Sequence, residues 1–598
     1  MYSRAIYIFS VVLLLYTSFF FYPRWKQSTG NATISWDVSG YYWYLPSAFI
    51  YHDLKSQTFK DIILARYQPT GSDFQQAVKQ PNGNYVMKYS SGMAVMYLPF
   101  FLVAHLLAKP LGYPPDGFSL PYQFAIQFGG FLISMLGLWY LRKLLLQFYS
   151  DRVVAIVLFL LTFGTNYLNY AAVDNGMSHC WLFTIYVFLL LNTYYFYRDF
   201  KMKYAIRVGL LVGLATLTRP TDAISGLIPL LWGMESVSLS AIKNQWTLLV
   251  RNIRPFLIAV VCALLVVSVQ FVYWKYVSGH WLVYSYGDQG FSWMHPHALL
   301  YSFNYRSGWF NYAPMLLLGV AGFLPFIRSG KNKVAVVCFF FLNYYIVSAW
   351  DIWWYGGRAM VQSYPVLLFP MASLVSVALD RKAVLLLLTP LALLFVYFNF
   401  WITWQYHRGK LYDADAMTKA YYLRVIGRWD VPRRTLELRD VTDLYEGPPC
   451  AMKLVYQNDF EKDTGVHFTH NAIHGNTSAI MSNSVQMTPV LTFPFTAAGA
   501  QWLRVQGTFR IGAKEWTIWN MPQFIVRLID NTKGGDEENR IVKENRIKIT
   551  RLLGENQTMD IATDLKLPPR KYDMVSILFW DAGSDKEVII DDIKAWAF

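Results

Sequence analysis

Long uncharged runs recur along the chain between short polar stretches. Their length is set by the bilayer, whose hydrocarbon core, about 30 Å thick, needs roughly 20 apolar residues per spanning helix. Segments 5–22, 121–141, 153–171, 180–197, 204–218, 221–234, 255–275, 311–327, 334–349, 362–379 and 383–402 fit that pattern. The pattern predicts a mainly α-helical polytopic membrane protein with about eleven transmembrane helices. The first run passes into Phe19-Phe20-Phe21-Tyr22-Pro23 without a small-residue cleavage pattern, so it is read as a retained span and not a signal peptide. A further apolar run, 93–108, carries His105 with Pro99 and Pro110 close by, and is read as an interfacial or re-entrant helix.

After residue 403 the period changes. Residues 412–427 suit one helix, and Gly447-Pro448-Pro449 marks a boundary. Beyond it come short alternating runs, Trp502–Gln506, Phe524–Leu528, Met574–Trp580 and Val588–Ile593, between Gly, Asn and Asp turns. This predicts a C-terminal all-β sandwich. The expected domains are therefore a transmembrane domain 1–405 with a large first external loop 23–120, a linker 406–449 with a short helix, and a sandwich 450–598. Asn458-Asp459-Phe460-Glu461 and Ile590-Asp591-Asp592-Ile593 resemble the opening and close of jelly-roll carbohydrate-binding modules. Trp502, Trp516, Trp519 and Trp580 are candidate sugar platforms or, equally, sandwich core.

Composition sharpens the membrane reading. Of 598 residues, 55% are hydrophobic and 15% charged, outside the range of ordinary soluble enzymes. The formal charge of +15 does not point to nucleic acid, because Lys and Arg collect at helix ends. Threading the spans alternately from a cytoplasmic N-terminus puts the clusters at Arg4, Arg142-Lys143, Arg198–Arg207, Lys243–Arg254, Arg328–Lys333 and Arg381-Lys382 on one side, as the positive-inside rule requires. A bacterial inner membrane with the C-terminal domain periplasmic or extracellular fits this orientation. Cys180, Cys262 and Cys338 lie in apolar runs and only Cys450 in a soluble region, so no disulfide framework is legible.

The opposite face collects the chemistry. In Ser35-Trp36-Asp37-Val38-Ser39-Gly40-Tyr41-Tyr42, Asp37 stands at a membrane surface among aromatics, placed to act as a general base or to hold a metal, or merely to cap a helix. Asp174 and His179 lie at a second loop on that face, where His179 suits a pair with Asp174 or an anionic ligand, or else Asp174 or Ser178 merely caps the next helix and His179 fills the interface. Arg219, in Leu217-Thr218-Arg219-Pro220-Thr221-Asp222, suits a phosphate or an internal pair with Asp222. In Trp350-Asp351-Ile352-Trp353-Trp354-Tyr355-Gly356-Gly357-Arg358, indoles that stack on sugar flank an arginine that suits a phosphate. His295 and His297 lack a third ligand for a metal.

Together these motifs resemble the C-type glycosyltransferase (GT-C) superfamily, most closely the bacterial branch related to protein O-mannosyltransferases and the lipid A aminoarabinose transferase. The likeness covers roughly residues 1–405 and rests on Trp36-Asp37 with its tyrosine-rich sequel, Met177-Ser178-His179, Leu217-Thr218-Arg219-Pro220-Thr221 and Trp353-Trp354-Tyr355-Gly356-Gly357-Arg358. It implies sugar transfer from a polyprenyl-phosphate carrier to a hydroxyl on a glycan, lipid or protein acceptor. In its terms Asp37 and Asp174 are catalytic, Arg219 and Arg358 bind the donor phosphate, and Tyr41, Tyr42, His179, Trp353, Trp354 and Tyr355 line the substrate. A divalent metal is compatible but not required, since Val38 replaces the second acid of the family's paired motif. The rival readings are a flippase for lipid-linked sugars, against which stand one-sided polar residues and no internal repeat, and a non-catalytic glycan-binding protein.

Overall fold

The computed structural model describes residues 1–598 except 73, 352–354, 410, 413–415, 450, 516–517 and 535, and leaves out the side chains of 71, 72 and 355. The chain divides into two compact units, Met1–Arg408 and Gly409–Phe598.

Among the described residues of the first unit, six helices are long and apolar enough to cross a bilayer: Tyr2–Lys26, Leu120–Leu145, Ser178–Asp199, Ile253–Ser278, Gly356–Asp380 and Lys382–Gly409. They mark an integral membrane protein. Burial sorts them. Ser178–Asp199 and Gly356–Asp380 are 78% and 83% buried over their apolar windows and form the centre, whereas Ile253–Ser278 and Lys382–Gly409, at 11% and 6%, turn their apolar surface outward. Gly92–Ala108, Met315–Ser329 and Lys333–Ala349 are apolar but shorter. Run 93–108 thus forms a helix that packs on Leu120–Leu145 and approaches the end of Met202–Thr218 so closely that a Cβ on Gly92 would lie 2.5 Å from the Thr218 nitrogen.

Several expected spans are shorter or broken. Run 153–171 is the helix Asp151–Gly164, followed by a wide turn at Asn169–Val173. Run 221–234 is not one helix: a tight 3-10 segment, Pro220–Gly226, leads into the short helix Leu227–Leu231. Pro220 lacks an amide proton and pushes Arg219 out of the helical region, to φ −141° and ψ 115°. Run 311–327 is the short helix Met315–Ser329, in which Gly322, still in the helical region at φ −61° and ψ −18°, separates Met315–Ala321 from Phe323–Ser329. Where helices do run side by side, small residues allow close approach. Gly209 and Gly213 of Met202–Thr218 lie against Ile253–Ser278, and a Cβ on Gly209 would sit 2.2 Å from the Ala259 carbonyl oxygen.

In the second unit two antiparallel sheets face each other. One orders its strands Ile541–Lys548, Gln523–Ile529, Met574–Trp580, Leu491–Pro494. The other runs Gln557–Lys566, Trp502–Ile511, Val588–Ala597, Ser478–Met481, Phe468–Thr469, with Lys453–Asn458 also pairing to Val588–Ala597. Phe509 from the second sheet meets Phe524 and Phe579 from the first at ring distances of 5.5 and 5.7 Å, which makes this a sandwich.

The stretch read as a linker belongs to this unit. Asp564, whose side chain is fully buried, accepts from Arg504 at 2.7 Å and Arg434 at 2.6 Å, and Leu438 and Val441 are buried. Among the described residues of the helix expected over 412–427, the helical part is Lys419–Val425, which Thr418 starts by accepting the Tyr421 amide.

Candidate active site

Asp37 lies in the first turn of a short helix, Trp36–Tyr42. Trp36 enters it at φ +47°, a left-handed conformation that a bulky residue holds only when its surroundings impose it. Arg24 supplies part of that constraint. Its Nε donates to the Asn31 carbonyl at 3.1 Å and its Nη2 to Ser35 Oγ at 3.0 Å, while Ser35 Oγ donates to the Ala32 carbonyl at 2.7 Å.

The Asp37 carboxylate has two partners drawn from far along the chain. Tyr89 donates its hydroxyl to Oδ1 at 2.7 Å, and Arg358 donates Nη2 to Oδ2 at 2.8 Å. Both members of the ion pair are about three-quarters buried. Arg358 is aimed by the glycines before it. Gly356 and Gly357 have φ of +61° and +62°, and a Cβ on Gly357 would stand 2.6 Å from Trp309 Cβ. Asn166 donates to the Gly356 carbonyl at 2.7 Å and Tyr301 to the Gly357 carbonyl at 2.8 Å, so the turn is gripped from two sides.

Around this pair stands a set of buried polar groups. Tyr41 is within the fields of Asp37, Arg358 and Arg219. Burial first, and Asp37 second, push its hydroxyl up to about 12 against the two guanidiniums. Tyr89 packs edge-on against the Tyr41 ring at 4.6 Å, and burial with the Asp37 charge raises its hydroxyl well above the usual value. His179 opens the helix Ser178–Asp199 against the Tyr170 ring, 5.0 Å away, within the fields of Arg358 and Arg219. Neither of its ring nitrogens meets hydrogen-bond geometry with any described residue. Arg219 Nη1, Asp222 Oδ2 and Gln362 Oε1 are likewise left over. Arg219 and Asp222 form no ion pair among the described residues; Asp222 instead accepts from Tyr186 at 3.2 Å. Of these, the Arg219 Nη1 donor and a His179 N–H are what an anionic ligand would complete, whereas Asp222 Oδ2 and Gln362 Oε1 are acceptors that it would not.

Other expected site residues lie elsewhere. Asp174 does not share the Asp37 cluster: its carboxylate is taken by Arg24, and Asn169 donates to it at 3.0 Å while accepting contact from His407 at 2.6 Å. Burial would raise its pKa, but Arg24 and then His407 outweigh burial and hold it below the ordinary carboxylate range. Tyr42 is not a lining residue. It is fully buried, donates to the Gly117 carbonyl at 2.5 Å and packs on Phe101 and Phe118. Trp353, Trp354 and the side chain of Tyr355 lie outside the described residues. His297 pairs with Asp351 at 3.4 Å. Of the indoles proposed as sugar platforms, Trp519 and Trp580 are exposed, Trp502 packs edge-on to Tyr445, and Trp516 lies outside the described residues.

With both carboxylates engaged by guanidiniums, and no three His, Cys, Asp or Glu side chains grouped among the described residues, this arrangement does not fit a divalent cation. Tyr89 and Arg24 are functional candidates that sequence reasoning missed. Tyr89 has no local signal. Arg24 had one, as a cation just past the first span on the face otherwise assigned to acidic and aromatic loops.

No family model matches the sequence, and no curated protein does. Among solved structures, the oligosaccharyltransferase AglB of Archaeoglobus fulgidus, in complex with an inhibitory peptide and a dolichol-phosphate, aligns over 71% of this chain and 57% of its own, at 12% identity and a TM-score of 0.39. An oligosaccharyltransferase of that organism tethered to an acceptor peptide aligns over 67% and 53%, at 10% identity and 0.38. This chain therefore spans only somewhat more than half the length of those proteins. A family 16 carbohydrate-binding module aligns over 21% of this chain and 82% of its own, at 16% identity and 0.17. All three likenesses are at 16% identity or less and at TM-scores of 0.39 or less.

Proposed function

We propose that this protein is a membrane glycosyltransferase of the GT-C type that moves a sugar from a polyprenyl-phosphate carrier to an acceptor hydroxyl on the extracytoplasmic face of a bacterial inner membrane. The observation that carries the reading is the Asp37 carboxylate held between Tyr89 and Arg358, with Arg219 and His179 unsatisfied beside it. In this reading the carrier phosphate enters among Arg358, Arg219 and His179, which offset the charge that grows on it as the anomeric carbon–oxygen bond breaks. Asp37, oriented by the Tyr89 hydroxyl, takes the proton of the acceptor hydroxyl as its oxygen bonds to the anomeric carbon. Asp222, the other carboxylate of this set, accepts from the Tyr186 hydroxyl at 3.2 Å and is read here as a buried partner and not as a nucleophile, which makes the reaction a single displacement with inversion.

Purified protein in vesicles with a labelled polyprenyl-phosphate sugar tests this. Glycoside should form with the wild type and not with Asp37→Asn. Carrier lipid that changes leaflet without any glycoside would replace the enzyme with a flippase, and a product with the donor's anomeric configuration would rule out single displacement. A deletion strain that accumulates a donor lipid would identify the sugar.

A further inference from the structure

The helix Leu239–Arg251 stands outside the site and is not needed by its chemistry. Ser238 caps it by accepting the Ala241 amide at 3.3 Å. At 100° per residue, Leu239, Ile242, Trp246 and Val250 fall in one stripe, which Ile253 of the next helix prolongs. All five are exposed, Leu239 by 87% and Trp246 by 68%. The other side is docked: Gln245 Nε2 donates to the Leu230 carbonyl at 2.7 Å and to the Tyr197 hydroxyl at 3.0 Å. The orientation that leaves the stripe bare is therefore fixed by bonds to the bundle. Lys243, Arg251 and Arg254 flank the stripe and are exposed, and no acidic residue occurs between Glu235 and Asp288.

Two observations say what covers the stripe. It is continuous, through a break at Asn252 (φ −111°, ψ 30°), with the outward apolar surface of the span Ile253–Ser278, where Leu257, Val260, Val261 and Leu264 are exposed. Its only formal charges are positive, which matches an anionic leaflet. We infer that Leu239–Arg251 is an interfacial helix that beds Leu239, Ile242, Trp246 and Val250 at the boundary of headgroups and acyl chains and recruits anionic phospholipid through Lys243, Arg251 and Arg254. Tryptophan is suited to that depth, with an apolar ring and a polar N–H.

The test uses the full chain carrying the photoreactive residue p-benzoyl-phenylalanine in place of Trp246 or, as control, of Asn244 on the polar side. Each is reconstituted into vesicles of phosphatidylethanolamine and phosphatidylglycerol. Irradiation followed by mass spectrometry should find phospholipid adducts from position 246 and few from 244, enriched in phosphatidylglycerol over its share of the vesicle. Lys243→Gln with Arg251→Gln and Arg254→Gln should remove that enrichment while the adduct remains. Equal, low yields from both positions, or crosslinks from position 246 to a second copy of the chain, would overturn the inference. Because the substitutions are at exposed positions, monodisperse elution in detergent shows in the same samples that the fold is retained.

Discussion

Arg358 Nη2 stands 2.8 Å from Asp37 Oδ2, closing a contact between residues 321 positions apart. Neither charge is free to leave without cost, since each side chain is about three-quarters buried. Removing the cation leaves a carboxylate with only Tyr89, and losing a charge-assisted bond of this kind costs about 1.5–3 kcal/mol. Arg358→Ala should therefore lower the melting temperature and reduce transfer by about 100-fold or more, the usual consequence of deleting one preorganised donor. Asp37→Asn keeps size and the Tyr89 contact but not the base, so it should abolish transfer with a smaller change in melting temperature. Thermal unfolding in detergent and transfer from a labelled donor, measured together, separate the two effects.

Gly357→Ala should mimic the loss of Arg358 without touching its charge. A Cβ there meets Trp309 Cβ at 2.6 Å, and alanine at φ +62° costs about 1–2 kcal/mol before any clash. The Gly-Gly turn must shift, and the guanidinium with it. The expected outcome is a fall in transfer close to that of Arg358→Ala, whereas the same change at Gly83, φ +85° with open space around it, should leave transfer unaltered.

Much of the helical frame was legible because lipid imposes a length on each apolar run, and the strands because alternation matches the pleat: Met574–Trp580 forms as read, and the run at Val588 continues to Ala597. The break at Pro220 was not legible from hydropathy, which counts methylenes and ignores a missing amide proton. At the site, Asp37, His179 and Arg358 could each be singled out as polar groups in or beside the loops of one face, and Arg219 as a cation between two apolar runs. Which carboxylate faces which guanidinium could not, because pairing is decided by how helices from distant parts of the chain pack. Asp174, expected beside Asp37, is claimed by Arg24, and Tyr89, one of 42 tyrosines, becomes distinctive only through the 2.7 Å contact.

Arg24 acts on Asp37 through the backbone of the loop before it. Arg24→Gln and Asp174→Asn should accordingly leave measurable turnover, reduced by about ten-fold and carried by kcat more than KM, where Asp37→Asn leaves none. Because its partners depress the Asp174 pKa, the pair adds stability that is full above the ordinary carboxylate range and is lost as pH falls through the folded value. Melting curves at descending pH should drop less steeply in Asp174→Asn. Abolished transfer in that variant, with melting unchanged, would return Asp174 to the reacting atoms.

Close packing of Met202–Thr218 on Ile253–Ser278 predicts a third kind of failure. A Cβ on Gly209 would sit 2.2 Å from the Ala259 carbonyl, so Gly209→Leu must separate the two helices. The cost should be about 1–3 kcal/mol, as for overpacking generally, seen as a lower melting temperature. Since Arg219 follows this helix directly, the carrier phosphate should also bind more weakly, and the rise in KM should exceed any fall in kcat.

Glu437 gives the sandwich unit a pH dependence of its own. Burial pushes this carboxyl up to about 7, against the pull of Arg434, whose Nε lies 3.6 Å away. A folded value above the unfolded one means that the native state holds the proton more tightly, so the stability is fully present below about pH 4.5 and is lost as pH rises toward 7. The loss is on the order of 3 kcal/mol. Asp564, held below its ordinary value against burial chiefly by Arg504 and then Arg434, acts with the opposite sign in a more acidic window and does not cancel it. Amide exchange in Trp502–Ile511 and Gln557–Lys566, corrected for intrinsic rates, should therefore show weaker protection at pH 8 than at pH 5. Glu437→Gln, which cannot ionise, should hold protection level across that range; if the slope persists in the variant, another group sets it.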